Sequence, residues 1–211
     1  MSPAPIKIAV MVSGQGRGSN MQAIIDACVC GKINGSVDLV IGVNEDAPAM
    51  QRAKSAGVKT IALSPKSYEI PQGYDDAIYK VLIDNNIDLI CLAGYMRLLG
   101  ETTVKHFENK IMNVHPALIP MFFGKGMYGH HVHEAAIKRG VKVSGATVHF
   151  VDAEYDTGPI ILQSVVEVDF NDTPETLAAK ILPIEHKTYT DAISLFSQSR
   201  LLVDQKKVKI I

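Results

Sequence analysis

Disulfide frameworks, long apolar runs and an excess of charge are all missing from this chain of 211 residues. Its three cysteines, Cys28, Cys30 and Cys91, cannot all pair and all stand in apolar stretches. That predicts reduced, core or half-buried thiols in a cytoplasmic protein rather than a cross-linked secreted one. No apolar run approaches the roughly 18 residues that a membrane span needs, and residues 1–5 carry no basic region of an export signal. A formal net charge of −1 offers no global attraction for nucleic acid. Neither a membrane nor nucleic acid is therefore expected as a partner. Repeats, low-complexity tracts and dividing linkers are also absent. What is present is an ordinary globular composition, 47% hydrophobic and 20% charged, in a chain long enough for one sizeable core.

Through the first half, short β-branched runs alternate with helical patterns. Strands are predicted at residues 6–13, 37–44, 59–63 and 89–93, and helices at 19–30, 47–56 and 74–85. This alternation predicts a parallel sheet with helices on both faces. The second half opens with a short buried strand at 111–114. Two longer β-rich runs follow at 143–151 and 160–168, joined by a turn holding Asp156, Gly158 and Pro159; they form either a hairpin or two antiparallel additions to the sheet. A last helix is predicted to start at Thr173, whose hydroxyl can cap it, with Pro174 in the first turn where no donor is missed. Pro183 predicts a kink, and the tail from Gln205 is an edge strand or loose. The expected fold class is α/β: one domain over residues 1–211, with a mostly parallel open sheet and antiparallel additions in the C-terminal half.

Ser13, Gly14, Gln15, Gly16, Arg17, Gly18, Ser19 and Asn20 join the first strand to the first helix. Glycines let backbone amides approach an anion, and a helix N-terminus adds favourable partial charge. Ser19 and Asn20 supply side-chain donors, and Arg17 a full charge. A phosphate suits such a loop; a plain strand-to-helix turn is the alternative. A dinucleotide fingerprint would need glycine where Ser19 stands and an acid where Asn44 closes the second strand. A P-loop would need Gly-Lys-Ser/Thr, which does not occur.

Asn113, Val114, His115 and Pro116 mark the carboxyl end of a predicted strand, the edge where open α/β sheets gather ligands. Side chains two apart on a strand point the same way, and Pro116 biases His115 towards extended geometry. An amide and an imidazole then project together into a cleft. They can aim donors at the oxyanion of an acyl transfer, while a carboxylate orients the imidazole and proton transfer is shared. Asp156, in its Gly/Pro turn, is the candidate carboxylate. A structural histidine before proline is the competing explanation.

Six ordered segments together make the chain resemble the glycinamide ribonucleotide (phosphoribosylglycinamide) formyltransferase family from Ile6 to about Arg200. They are residues 13–20, 92–99, 113–120, 149–151 and 156–163, and the pair Glu185 and His186. The resemblance implies a formyltransferase-like fold with a phosphate-binding half, 6–105, and a catalytic, folate-binding half, 106–200. It implies formyl transfer from 10-formyltetrahydrofolate to a ribonucleotide amine in purine synthesis, by direct amine attack, without metal. Asn113 and His115 would stabilise the tetrahedral intermediate, and Asp156 would support His115 and order a proton-relaying water. Gly16, Arg17, Gly18, Ser19, Asn20 and Pro116 would contact the ribonucleotide, with Glu185 on its ribose hydroxyls. Met96, Arg97, Leu98 and Leu99, with Val151, Asp152, Ala153 and Glu154, would line the folate pocket, Arg97 lying near the benzoylglutamate. A monomer or weak homodimer is implied.

Two departures stand out. The glycine loop is two residues longer than the family's common form, by Gln15-Gly16 or Arg17-Gly18. Segment 121–129 is also longer, either a lid hinged on Gly124, Gly126 and Gly129 or a surface loop. His130, His131 and His133 suggest a metal cluster, but no cysteine or carboxylate completes a zinc spacing. Rival functions are a formyltetrahydrofolate deformylase, which shares the fold, and a non-catalytic nucleotide-binding protein.

Overall fold

The computed structural model describes residues 3–14 and 16–211. Among them, nine strands form one sheet in the order β3-β2-β1-β4-β5-β6-β7-β9-β8. The first five are β1 (Ile6–Val12), β2 (Gly35–Gly42), β3 (Lys59–Ala62), β4 (Leu89–Ala93) and β5 (Ile111–His115), paired parallel as the alternating pattern predicts. Then β6 (Val143–Phe150) runs antiparallel to both β5 and β7 (Ile160–Glu167). The tail forms a hairpin, β8 (Leu201–Asp204) with β9 (Lys207–Ile210), and β9 joins β7 at one register pair, Ile160 with Lys207.

Period-two alternation explains the two-sided core. On β1, Ile8, Val10 and Val12 enter one apolar cluster, while Ala9 and Met11 enter the other. The first cluster packs under α1 (Ser19–Val29), α2 (Pro48–Ser55) and the final helix α6 (Pro174–Ser197). The second packs under α3 (Pro71–Asp84), near α4 (Glu101–His106). A smaller cluster joins α5 (His130–Arg139) to α6 through Ala136, Leu177 and Ile181. Tyr189 of α6 is fully buried, and its hydroxyl reaches the carbonyls of Leu92 at 3.1 Å and Met112 at 2.8 Å. It ties the ends of β4 and β5 together directly below the strand tips.

Three expectations change. The helix at 74–85 begins earlier, because Pro71 occupies the first turn, where its missing N–H costs nothing. The helix at Glu101–His106 is too short for a periodic pattern and was not foreseen. Pro183 lies inside a helix of 24 residues, where the helical pattern places it, and the carbonyl it leaves without a donor is that of exposed Ala179, which water can serve. Thr173 caps this helix as predicted, in a reciprocal box with Thr176. Cys91 is buried and Cys28 half-buried, but Cys30 is exposed, contrary to its placement in the core.

Candidate active site

The tips of β4 and β5 and the first turn of α1 open onto one cavity of about 470 Å³. Asn113 and His115 leave β5 on the same side and both line it. Asp156 reaches them from the β6–β7 turn. It holds φ at 58°, a left-handed conformation that costs a non-glycine residue roughly 1–2 kcal/mol. The surroundings hold it there. Its carboxylate accepts from Asn113 Nδ2 at 3.3 Å and from the Gly124 N–H at 3.0 Å. It also faces His115 Nδ1 at 3.6 Å and His149 Nε2 at 3.5 Å.

These contacts set the charges. Burial opposes ionisation of Asp156, but His149, His115 and the Gly124 N–H together hold its carboxyl below the ordinary range. Burial pushes His115 down and outweighs the help that Asp156 and the Phe122 carbonyl give its cation. An ionised carboxylate thus stands beside a neutral imidazole. His115 Nε2 lies 2.7 Å from the Phe122 carbonyl, so in the neutral ring the proton sits on Nε2 and Nδ1 turns towards Asp156.

His149 went unassigned in the sequence. It stands opposite Asn113 in the β5–β6 register. Its Nδ1 lies 2.7 Å from the Phe150 carbonyl, and its Nε2 lies 3.2 Å from Asn113 Nδ2 and 3.5 Å from Asp156. Period-two reading of residues 143–151 places His149 on a face but cannot name its partner. His133 also lines the cavity; burial holds its pKa down at about 4, so it is neutral. His130 and His131 instead meet Glu134 at the exposed start of α5, so the three histidines do not converge.

At one end of the cavity, Asn20 Nδ2 donates to Glu185 Oε2 at 2.9 Å, and burial raises Glu185 to about 7 against that bond. Pro116 lines the same space, but Gly16, Arg17, Gly18 and Ser19 stand outside its lining. Gly18 precedes α1 with φ 71°, and a Cβ there would approach Ala49 Cβ to 2.9 Å, so helix packing also requires glycine. The Gly16 N–H turns back to Ser13 Oγ at 3.4 Å, and Arg17 is exposed. Gln15, part of the predicted loop, lies outside the described residues.

At the other end, Met96, Arg97, Leu98 and Leu99 line the wall, with Met96 half-exposed and the Arg97 guanidinium 5.5 Å from the centre of the Tyr74 ring. Val151 and Glu154 line the opposite wall. Asp152 and Ala153 do not. The chain turns at Asp152, whose carboxylate accepts from Thr157 Oγ1 and Lys206 Nζ, each at 2.7 Å, instead of facing the cavity. Exposed apolar side chains beside backbone amides form a wall suited to a flat, polar-edged ring system. Segment 121–129 contributes residues 124–129 to the lining and has positive φ at Phe122, Gly124, Gly126 and Gly129.

The family model described as "Formyl transferase" matches residues 6–193. The chain is 39% identical over 210 residues to the chloroplastic phosphoribosylglycinamide formyltransferase of Arabidopsis thaliana, covering 99% of this chain and 71% of the relative. It is 40% identical over 187 residues to the phosphoribosylglycinamide formyltransferase of Bacillus subtilis (strain 168), covering 89% and 92%. The crystal structure of glycinamide ribonucleotide transformylase 1 from Symbiobacterium toebii superposes with a TM-score of 0.91 at 42% identity, covering 98% and 94%.

Proposed function

The chain belongs to the formyl transferase family, and on that premise we propose that it transfers a formyl group from 10-formyltetrahydrofolate to the amine of 5'-phosphoribosylglycinamide, a step of purine synthesis. The observation that carries this is the meeting of Asn113, His115 and Asp156 at the tip of β5, between a wall built for a flat ring and a buried carboxyl built for a diol.

The folate supplies the formyl carbon as the electrophile. This chain's residues then divide the work. As the amine adds, negative charge grows on the formyl oxygen, and the Asn113 amide and the His115 Nε2–H are the donors that can meet it. Both are engaged in the structure, Asn113 by His149 and Asp156, His115 by the Phe122 carbonyl. Reaction therefore exchanges those partners for the substrate oxygen. Asp156 stays ionised and favours any positive charge on His115, and through a water it passes the amine's proton towards the departing folate nitrogen. The C–N bond to the amine forms, the C–N bond to the folate breaks, and the proton lost by one nitrogen is gained by the other.

Glu185, an acceptor when ionised, receives the ribose hydroxyls. Phosphate falls to the loop at Gly16, Arg17, Gly18, Ser19 and Asn20, ahead of α1. A monomer or weak homodimer is the assembly that the family resemblance implies. Small soluble substrates and unpaired thiols support a cytoplasmic location. Among the described residues no helix is long and apolar enough to cross a membrane.

The test is a direct assay with both substrates. Formyl transfer to the ribonucleotide is expected. Release of formate at an equal rate with and without the ribonucleotide would instead favour a deformylase, and ribonucleotide binding without any dependence on folate a non-catalytic binding protein.

A further inference from the structure

The turn that carries Asp156 is closed at its base by a residue from the far end of the chain. Asp152 opens this turn, and its Oδ1 accepts from the Glu154 N–H at 3.3 Å and from Thr157 Oγ1 at 2.7 Å. Lys206 sits between β8 and β9. Its ammonium donates to Asp152 Oδ2 at 2.7 Å and to the Thr157 carbonyl at 3.0 Å. One cation thus grips both ends of a six-residue loop, 152–157, whose inner side presents Glu154, Tyr155 and Asp156 to the cavity. Asp152 is held ionised: burial opposes its charge, but Lys206, Thr157 and the Glu154 N–H outweigh it.

We propose that Lys206 is a positioning residue for formyl transfer, acting through Asp152 and Thr157 to hold Asp156 at its working distance from Asn113 and His115. The role rests on the formyl-transfer reading of the site. Two observations make the clamp matter. Asp156 occupies a left-handed conformation, less favourable for a side-chain-bearing residue than for glycine, so contacts from outside the turn help to hold it. One of its holders, the Gly124 N–H, belongs to the glycine-rich segment 121–129, which must give way at His115 during reaction. When that bond opens, Lys206 and the Thr157–Asp152 bond still close the base of the turn, while Asn113 and His149 remain on Asp156 itself. The hairpin carrying it meets β7 at a single register pair and is seated by Leu201, Val203 and Val208 against the first core cluster, which leaves Lys206 free to act on the turn.

An exposed ion pair contributes little to global stability, so the unfolding temperature of Lys206→Met is expected to stay at the wild-type value while the turn loosens. Hydrogen–deuterium exchange of the free protein reads this directly. Peptide 151–158 should exchange faster in Lys206→Met and at the wild-type rate in Lys206→Arg. In steady-state assays Lys206→Met should lose about threefold to tenfold in kcat, the cost of a small misplacement, with KM for the ribonucleotide unchanged. The limb of the pH–rate profile set by His115 should move to lower pH, because Asp156 supports its cation; a merely structural lysine would not move it. Asp152→Asn should lose as much, and the double variant no more than either single one. Unchanged exchange in Lys206→Met overturns the clamp. Faster exchange with wild-type kcat and pH profile overturns its role in the reaction. A wild-type protein that transfers no formyl group overturns the reaction itself, and with it that role, while the exchange result still decides whether the clamp exists.

Discussion

Asn113, His115 and Asp156 divide catalysis into donors and a charge, so their removal should act on kcat more than on binding. His115→Ala and Asp156→Asn are each expected to lower kcat by about 10²–10³-fold, with folate affinity, measured by fluorescence titration, close to wild type. Glu185 carries a pH dependence whose sign follows from burial. Its carboxyl is raised from 4.5 to about 7, so the free folded protein holds a proton that the unfolded chain releases. Its contribution to stability is present below pH 4.5 and lost as pH climbs through about 7. A ribose diol donates to the ionised form, so ribonucleotide affinity should run the other way. Calorimetry should show it rising with pH, by up to roughly tenfold per unit below the Glu185 pKa, and flat in Glu185→Gln. The three central residues were legible because a spacing of two on a strand and a Gly/Pro turn are local facts. His149 was not, since only the β5–β6 register brings it to Asn113. That Asp152 stands off the cavity lining was not legible either, because the direction of its side chain is settled by Thr157 and Lys206.

Among the elements, α6 does two jobs. It packs the first core cluster and delivers Glu185 to the cavity. Its start was legible from Thr173 and Pro174, and the reciprocal Thr173–Thr176 bonds give the cap its strength. Thr173→Ala should cost about 1 kcal/mol, a fall of roughly 2–4 °C in Tm for a chain of this size, with the site's chemistry intact. Segment 121–129 behaves differently. Gly124 has φ 91° and open space around its Cα, so Gly124→Ala strains the backbone without a clash. Its N–H bonds Asp156, and the expected result is a lower kcat together with a Tm lowered by roughly 2–4 °C for each kcal/mol of strain, read by parallel kinetics and thermal melts. The glycines signalled hinging in the sequence, but the contact of the Phe122 carbonyl with His115 depends on where the loop lands.

At the scale of the whole molecule, the parallel half, its helices on both faces and the antiparallel extension followed from alternating periods and from the longer β runs after residue 140, whereas the strand order did not, because periodicity does not say which strands pair. The C-terminal hairpin was half-seen, because its four-residue strands carry little pattern of their own. One sheet packed on both sides predicts a single cooperative unfolding transition. Ribonucleotide at a hundredfold excess over its Kd should stabilise it by about 2.7 kcal/mol, visible as one melting curve displaced upward. The same architecture bears on what happens when no acceptor amine is present. The Phe122 carbonyl lies 2.7 Å from His115 Nε2, and Asp156 is occupied by Gly124 and Asn113. A stray water attacking a bound folate would find the Asn113 and His115 donors already engaged and no free donor for the growing charge on oxygen. Formate release from bound folate without ribonucleotide should therefore be slow beside formyl transfer and faster once the Gly124 contact is weakened, as in Gly124→Ala, which a formate assay of both proteins measures.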